Sequence, residues 1–359
     1  MTVMTRKPYL PALLLALAFF PSCSKDAANP PAASATYYYP PLAGSAWETA
    51  NAASLGWDAG KLNEAVDYIG SNNSDALIIL YKGRIVTEKY WNGFTPSSSK
   101  RIFSATKSMA GFMVGLAQEQ GRLDIGRKVS DYIGTGWSGA TLAQESQITV
   151  RHLVSMTSGL KEDLTYEAAP GTKWFYNTPA YHRIFAVLAN AYKQNNTDYT
   201  KAQLWDRIGM RDSFWDTEPV VGGGGPSMSC SARDMARFGL LIVSDGKWNG
   251  TAIMNDAAYF QSMTGSSQPH NPSYGYLWWL NGKPSYVLPA GRQPVAGALM
   301  PNAPPDLVAA LGYNDKKIYV VKSMDLVVVR HGGQSGVPSS LALSSFDNEI
   351  WKRLVLAIK

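Results

Sequence analysis

The β-forming segments of this 359-residue chain lie at its two ends, with helix-forming sequence between them. Near the start, residues 76–81 are an unbroken apolar run, Ala-Leu-Ile-Ile-Leu-Tyr, followed by Lys82-Gly83 and a second β-prone stretch over 84–90. Two such runs around a two-residue turn predict a hairpin. Toward the end, 278–280, 307–311, 318–321 and 326–330 are short and rich in branched and aromatic residues, and 323–325 suits a turn between the last two. Residues 122–270 carry mainly helical and loop signals, with helices expected over 148–156, 178–192, 201–208 and 231–244; two more are expected over 57–70 and 346–358. This order predicts an α/β fold of the α+β kind: one antiparallel sheet assembled from both chain ends, flanked by helices, with an inserted, mainly helical part. The α/β part would comprise 46–103 and 274–359, and the helical part 104–273. With 45% hydrophobic residues the chain can fill such a core.

Residues 102–119 lead from the first strands into the helical region. Met109, Phe112, Met113, Leu116 and Ala117 recur at helical spacing and predict an amphipathic helix with one buried face. Ser104 stands at its start, where a hydroxyl is favoured as an N-cap, and Lys107 follows one turn later on the same face. A serine hydroxyl needs a neighbour to take its proton before it acts as a nucleophile. A lysine can do so only if burial or nearby positive charge lowers its pKa, and a Met/Phe face offers that burial. Spacing alone does not separate this reading from a cap beside a solvated lysine, because Ser-x-x-Lys occurs five times, at Ser22/Lys25, Ser97/Lys100, Ser104/Lys107, Ser158/Lys161 and Ser244/Lys247. Only Ser104/Lys107 opens a long apolar helix, and a motif needs its structural context.

The N-terminus reads as an export signal over 1–22: Arg6 and Lys7, then an apolar run over 10–20 too short to span a bilayer comfortably. Phe20-Pro21-Ser22-Cys23 resembles the lipobox of a bacterial lipoprotein, which would make Cys23 the lipid-bearing terminus and place the protein in the periplasm or at the cell surface. Residues 23–45, rich in Ala, Pro and Ser, read as a tether, and 46–359 as the folded domain. The formal charge of +6 is mild and the basic residues form no dense cluster, so a nucleic-acid partner is not expected.

Other chemistries find little support. His152, His182, His270 and His331 are scattered without metal spacing, so core or surface roles are expected and no metal or organic cofactor is implied. There is no Gly-x-Ser-x-Gly elbow, and the Gly run 222–225 lacks the Lys-Ser/Thr of a phosphate cradle. Trp278 and Trp279 suit either a core or a substrate platform, and Glu162-Asp163 either a pocket rim or a solvated loop.

Two further stretches bear on Ser104. Residues 170–181, Pro-Gly-Thr-Lys-Trp-Phe-Tyr-Asn-Thr-Pro-Ala-Tyr, place Tyr176 on a loop before a helix that Thr178-Pro179 would start. The apolar strand at 307–311 ends at Gly312, where the absent side chain would let a substrate approach the backbone. With these in view, the chain from about 47 to 359 resembles the serine β-lactamase and penicillin-binding-protein-like superfamily, in its class C-like esterase and aminohexanoate-oligomer hydrolase branch. Phe103-Ser104-Ala105-Thr106-Lys107-Ser108 matches the Ser-x-x-Lys motif in its usual context, and 170–176 matches the segment bearing the catalytic tyrosine. ITVRHLVSMTSGL (148–160), SARDMARFG (231–239) and YGYLWWL (274–280) resemble connecting segments.

The resemblance implies acyl transfer. Ser104 would form an acyl-enzyme on an ester, amide or peptide-like small molecule, with Lys107 and Tyr176 as general base and acid and the N–H groups of Ser104 and Tyr313 as the oxyanion hole. Gly312, Asn177 and Trp278 would be substrate-binding. Two departures stand out. The usual Tyr-x-Asn is here Tyr176-Asn177-Thr178, and Ala310-Leu311-Gly312 stands where Lys-Thr-Gly is usual. The missing cation weakens two alternatives, β-lactamase and D-amino-acid peptidase; a non-catalytic binding or sensor protein on the same fold is a third.

Overall fold

The computed structural model describes Met1 and residues 36–216, 225–337 and 343–358. The export signal and Cys23 expected from the sequence, together with Gly222, Gly223 and Gly224, lie outside these residues. Residues from Tyr37 onward form one compact unit.

Helix α1 (Ala59–Ser71) starts at Asp58, whose carboxylate accepts from Lys61 N, and buries Leu62, Ala65, Val66 and Ile69. Strands β1 (Ser74–Tyr81) and β2 (Arg84–Tyr90) follow as the predicted hairpin. Its turn residues Lys82 and Gly83 both have positive φ, as a tight turn matched to strand twist requires. Short strand β3 (Ser99–Arg101) leads through a 3₁₀ turn, Phe103–Ala105, into helix α2 (Thr106–Glu119). The middle of the chain holds, among shorter elements, helix α3 (Thr178–Tyr192), strands β4 (Phe214–Asp216) and β5 (Ser227–Ser231), helix α4 (Ala232–Val243) and helix α5 (Ala257–Thr264). The last third supplies β6 (Trp279–Leu280), β7 (Leu307–Gly312), β8 (Lys316–Val321), β9 (Leu326–Gly332) and helix α6 (Ser345–Ala357).

The main sheet is antiparallel with order β2-β1-β9-β8-β7-β6. Both chain ends meet at the β1–β9 pair, where Ile78 faces Val329 and Ile79 faces Val328. Its strands are buried on both faces, which their continuous apolar runs require. One face is covered by α1 and α6, the other by α4. Although α4 lies within 104–273, it belongs to the sheet layer: a Cβ on Gly239 would collide with Val327, so the glycine lets this helix sit directly on β9. The same stretch also holds β4 and β5, which join β3 in a separate three-stranded sheet.

The α2 helix departs from the expected amphipathic pattern. Every residue from Thr106 to Ala117 is buried, because α3, α5 and β7 surround it. Gly111, Gly115 and the small residues beside the periodic Met and Phe leave no polar face, the signature of a core helix. Ser104 does not cap this helix through its side chain; the residue at the cap is Ala105.

Candidate active site

Ser104 sits in the 3₁₀ turn that joins the small sheet to α2. Phe103, immediately before it, has φ 49°, a left-handed conformation that is costly for a bulky side chain and is kept only where the surroundings enforce it. Ile102 N donates to Met228 O of β5 on one side of this turn. On the other, the end of β7 presses against it: a Cβ on Gly312 would collide with Ile102 O and stand 3.2 Å from Ala105 N. Gly312 is therefore needed for backbone packing against the serine turn. The Tyr313 ring, next along, is partly exposed and meets the Phe103 ring edge-on at 5.4 Å.

Lys107 is 3% exposed, and its Nζ is 3.1 Å from Ser104 Oγ. The ammonium position lies 4.8 Å from the ring centre of Tyr176 and 4.6 Å from that of Tyr181. Among the described residues no carboxylate pairs with it. Burial pulls its pKa from the usual 10.5 down to about 7. That shift corresponds to roughly 5 kcal/mol withdrawn from the charged form. Lys107 is thus able to take a proton near neutral pH.

Tyr176 is held by an aromatic cage. Its ring stacks on Trp279 at 5.9 Å and meets Tyr274 edge-on at 6.2 Å, with Trp174 at 6.3 Å. Burial raises its phenol well above the usual value, while a hydrogen bond with Ser104 works in the opposite direction. Around neutral pH the phenol keeps its proton. The two partners of Ser104 are thus pushed apart, one toward a base and one toward an acid.

A small cavity of about 90 Å³ opens on Ser104 and Lys107, walled by Thr178, Tyr181 and His182 of α3 and by Ser227 of β5. A larger cavity of about 740 Å³, between α4, α5 and the sheet, contains none of these residues.

The sequence profile of the beta-lactamase family matches residues 62–337. The chain belongs to the beta-lactamase family. An uncharacterised protein of Alkalihalophilus pseudofirmus is 24% identical over 319 residues, 77% of this chain and 88% of that one. A 6-aminohexanoate-dimer hydrolase of Paenarthrobacter ureafaciens is 22% identical over 253 residues, 58% of this chain and 64% of its own length. The crystal structure of a beta-lactamase/D-alanine carboxypeptidase from Yersinia pestis superposes with a TM-score of 0.62 at 15% identity, covering 85% of this chain and all of that one. This beta-lactamase-family protein therefore has the fold of the serine hydrolases that the sequence resembled.

The fold brings Ser104, Lys107 and Tyr176 together and sets Gly312 and Tyr313 beside the serine turn. It does not bring Asn177 or Trp278 to the cavity. Asn177 is 2% exposed and caps α3: its Oδ1 accepts from Ala180 N, while Nδ2 donates to Leu160 O and Lys161 O, each at 2.8 Å. Thr178, expected as the cap, is the residue that lines the cavity, two places after Tyr176. Trp278 is fully buried and stacks on Phe238; Trp279 is the one that touches Tyr176. Ala310 is fully buried within β7. Among the histidines, His152 Nδ1 accepts from Thr149 N, His270 Nε2 is 3.0 Å from Gly171 O, and His331 is buried with Nε2 2.9 Å from Cys230 O. Glu162 and Asp163 are exposed, the latter accepting from Thr165. Sequence reasoning missed Tyr181 and His182. Their signal was weak but present: on α3, they follow Tyr176 by five and six residues.

Proposed function

We propose that the protein is a serine hydrolase that cleaves an ester or amide through an acyl-enzyme on Ser104. The observation that supports this most is the approach of a buried, carboxylate-free Lys107 to Ser104 Oγ at 3.1 Å. Neutral Lys107 takes the Oγ proton as Oγ bonds to the substrate carbonyl carbon. The resulting oxyanion is held by the N–H groups of Ser104 and Tyr313, donors on the two backbone segments that Gly312 packs together. The Tyr176 phenol gives its proton to the leaving alcohol or amine and is reprotonated from Lys107. Water then attacks the acyl carbon, its proton passes to the tyrosine–lysine pair, and Ser104 departs as the hydroxyl.

The family relationship to a 6-aminohexanoate-dimer hydrolase supports amide as well as ester substrates. Ala310, in place of a lysine, weighs against a β-lactam or D-amino-acid peptide whose carboxylate needs a cation there. The proposal also includes export and lipid attachment at Cys23, which palmitate labelling lost in Cys23→Ala would support.

Ser104→Ala should abolish turnover of p-nitrophenyl acetate and labelling by a fluorophosphonate probe. Undiminished turnover in that variant would overturn the mechanism, and an unlabelled, inactive wild type would favour a non-catalytic binding protein.

A further inference from the structure

The loop that carries Tyr176 is gripped from two sides. On one side, backbone bonds tie it to residues 156–159: Glu167 N donates to Gly159 O, Gly171 N to Thr157 O and Phe175 N to Met156 O, at 2.9, 2.8 and 2.9 Å. On the other, a separate part of the chain reaches over it. Ser285–Tyr286 and Val295–Ala296 pair as a short hairpin in the connection between β6 and β7. Fully buried Asn271 anchors the base of this hairpin, donating from Nδ2 to Val287 O and accepting at Oδ1 from Val287 N, each at 3.2 Å. Its neighbour His270 has Nε2 3.0 Å from Gly171 O of the tyrosine loop.

Arg292 lies in the turn that joins the two hairpin strands. Its Nη1 donates to both carboxylate oxygens of Glu167, at 2.8 and 2.9 Å, and its guanidinium carbon stands 4.2 Å from the ring centre of Phe175. One side chain thus holds the loop at Glu167 and again at Phe175, the residue directly before Tyr176. Arginine suits both contacts, because a planar guanidinium hydrogen-bonds at its edge and lies on an aromatic ring with its face. Glu167 also accepts from Lys173 Nζ at 2.9 Å, but that pair is internal to the loop and ties it to nothing else. Without Arg292, the one polar tie from the hairpin side among the described residues would be His270 to Gly171.

The inner side of the same stretch is aromatic: Trp174 and Tyr176 both pack on Tyr274 and Trp279. A phenol that gives its proton to a leaving group must stay within hydrogen-bond reach of it, and a misplacement of about 1 Å costs on the order of 10²-fold. Phe175 is one peptide bond from Tyr176, so a shift at Phe175 is passed on to the phenol.

We propose that Arg292 is a positioning residue for Tyr176: from the hairpin it clamps the loop at Glu167 and Phe175 and so holds the phenol where it reaches the leaving group. This rests on the reading of Tyr176 as the general acid.

The test compares p-nitrophenyl acetate with ethyl acetate, which share an acyl group and differ in the leaving group. The quantity measured is kcat/KM, which reports the steps through acylation, in the wild type, Arg292→Ala, Arg292→Lys, Tyr176→Phe and the double variant Arg292→Ala/Tyr176→Phe. The clamp consists of partly exposed contacts, each of modest strength. Arg292→Ala should therefore lower the ethyl acetate value about three- to tenfold and the p-nitrophenyl acetate value much less. Arg292→Lys, which keeps the charge facing Glu167, should recover most of that loss. In the double variant the value should fall no further than in Tyr176→Phe, because no phenol is left to position. Equal falls on both substrates in Arg292→Ala, no fall at all, or a full further fall in the Tyr176→Phe background overturn the clamp alone. Equal falls on both substrates in Tyr176→Phe overturn the acid role, and the clamp with it.

Discussion

Gly312 and Ile102 meet backbone to backbone, so closely that a Cβ on Gly312 would collide with the Ile102 carbonyl oxygen. This contact fixes the distance between the end of β7 and the turn that carries Ser104. Gly312→Ala must push the two apart, and backbone at both sites leaves little room to yield. We expect a stability loss of about 1–3 kcal/mol, but a larger proportional loss of p-nitrophenyl acetate turnover, because the N–H groups of Ser104 and Tyr313, the proposed oxyanion donors, separate. A variant that loses stability while keeping kcat would disconnect β7 from catalysis.

In the proposed mechanism Lys107 sets the pH dependence. Its pKa near 7 means that the group is protonated in acid and unable to accept from Ser104. The free-enzyme kcat/KM should rise with pH through about 7 and level off above it. Among the described residues no other group around Ser104 is expected to titrate there, since burial holds His182 near 4 and Tyr176 well above the usual tyrosine value. A profile flat between pH 5 and 9 would count against Lys107 as the base.

Tyr176→Phe separates the acid role from the rest. p-Nitrophenolate leaves without being protonated, whereas an alkoxide or amide anion does not. The variant should lose roughly 10²–10⁴-fold on an ethyl ester or an anilide and far less on p-nitrophenyl acetate. Equal losses on all three would assign Tyr176 to positioning rather than proton transfer.

The sheet was legible because its strands are continuous runs such as Leu326-Val327-Val328-Val329, which only a sheet covered on both faces accommodates. The approach of Lys107 to Ser104 was legible from their spacing and the helix that follows. Its environment was less so. Gly and Ala between the periodic Met and Phe of α2 read as a neutral face, and only the packing of α3, α5 and β7 makes them core. Asn177 and Thr178 are both short polar residues before Pro179, and either can cap a helix; the tertiary partners Leu160 O and Lys161 O decide for Asn177. Trp278 and Trp279 occupy opposite faces at the edge of a two-residue strand, so which one reaches Tyr176 depends on a register that local sequence does not specify. Tyr181 and His182 gain significance only from where α3 docks against α2.

Lys107 should also limit stability. Its pKa is lower in the folded protein than the ordinary 10.5, so the unfolded chain binds more protons between about pH 7 and 10.5, and the Lys107 contribution to stability improves as pH rises through that window. Below pH 7 the full penalty of burying a charge applies. Lys107→Met should therefore be inactive but more stable than the wild type at pH 6, by about 1–3 kcal/mol, with the advantage fading by pH 10. A constant difference in melting temperature between pH 6 and 10 would contradict this linkage.

Asn177 and Thr178 exchange the roles that their order suggested, and stability separates them. Asn177→Ala removes the cap of α3 and takes a donor from Leu160 O and from Lys161 O, the latter keeping its bond from Leu164 N. The expected cost is about 2–4 kcal/mol, from the cap and the lost hydrogen bonds together. Because α3 begins directly after Tyr176, the loop that carries the phenol loosens as well, and turnover should fall with the melting temperature. Thr178→Val changes a residue that lines the cavity but does not cap α3, so its melting temperature should stay within a degree or two of the wild type. Calorimetry on the two variants side by side reads the difference directly. A large stability loss in Thr178→Val with little in Asn177→Ala would restore the order that the sequence suggested.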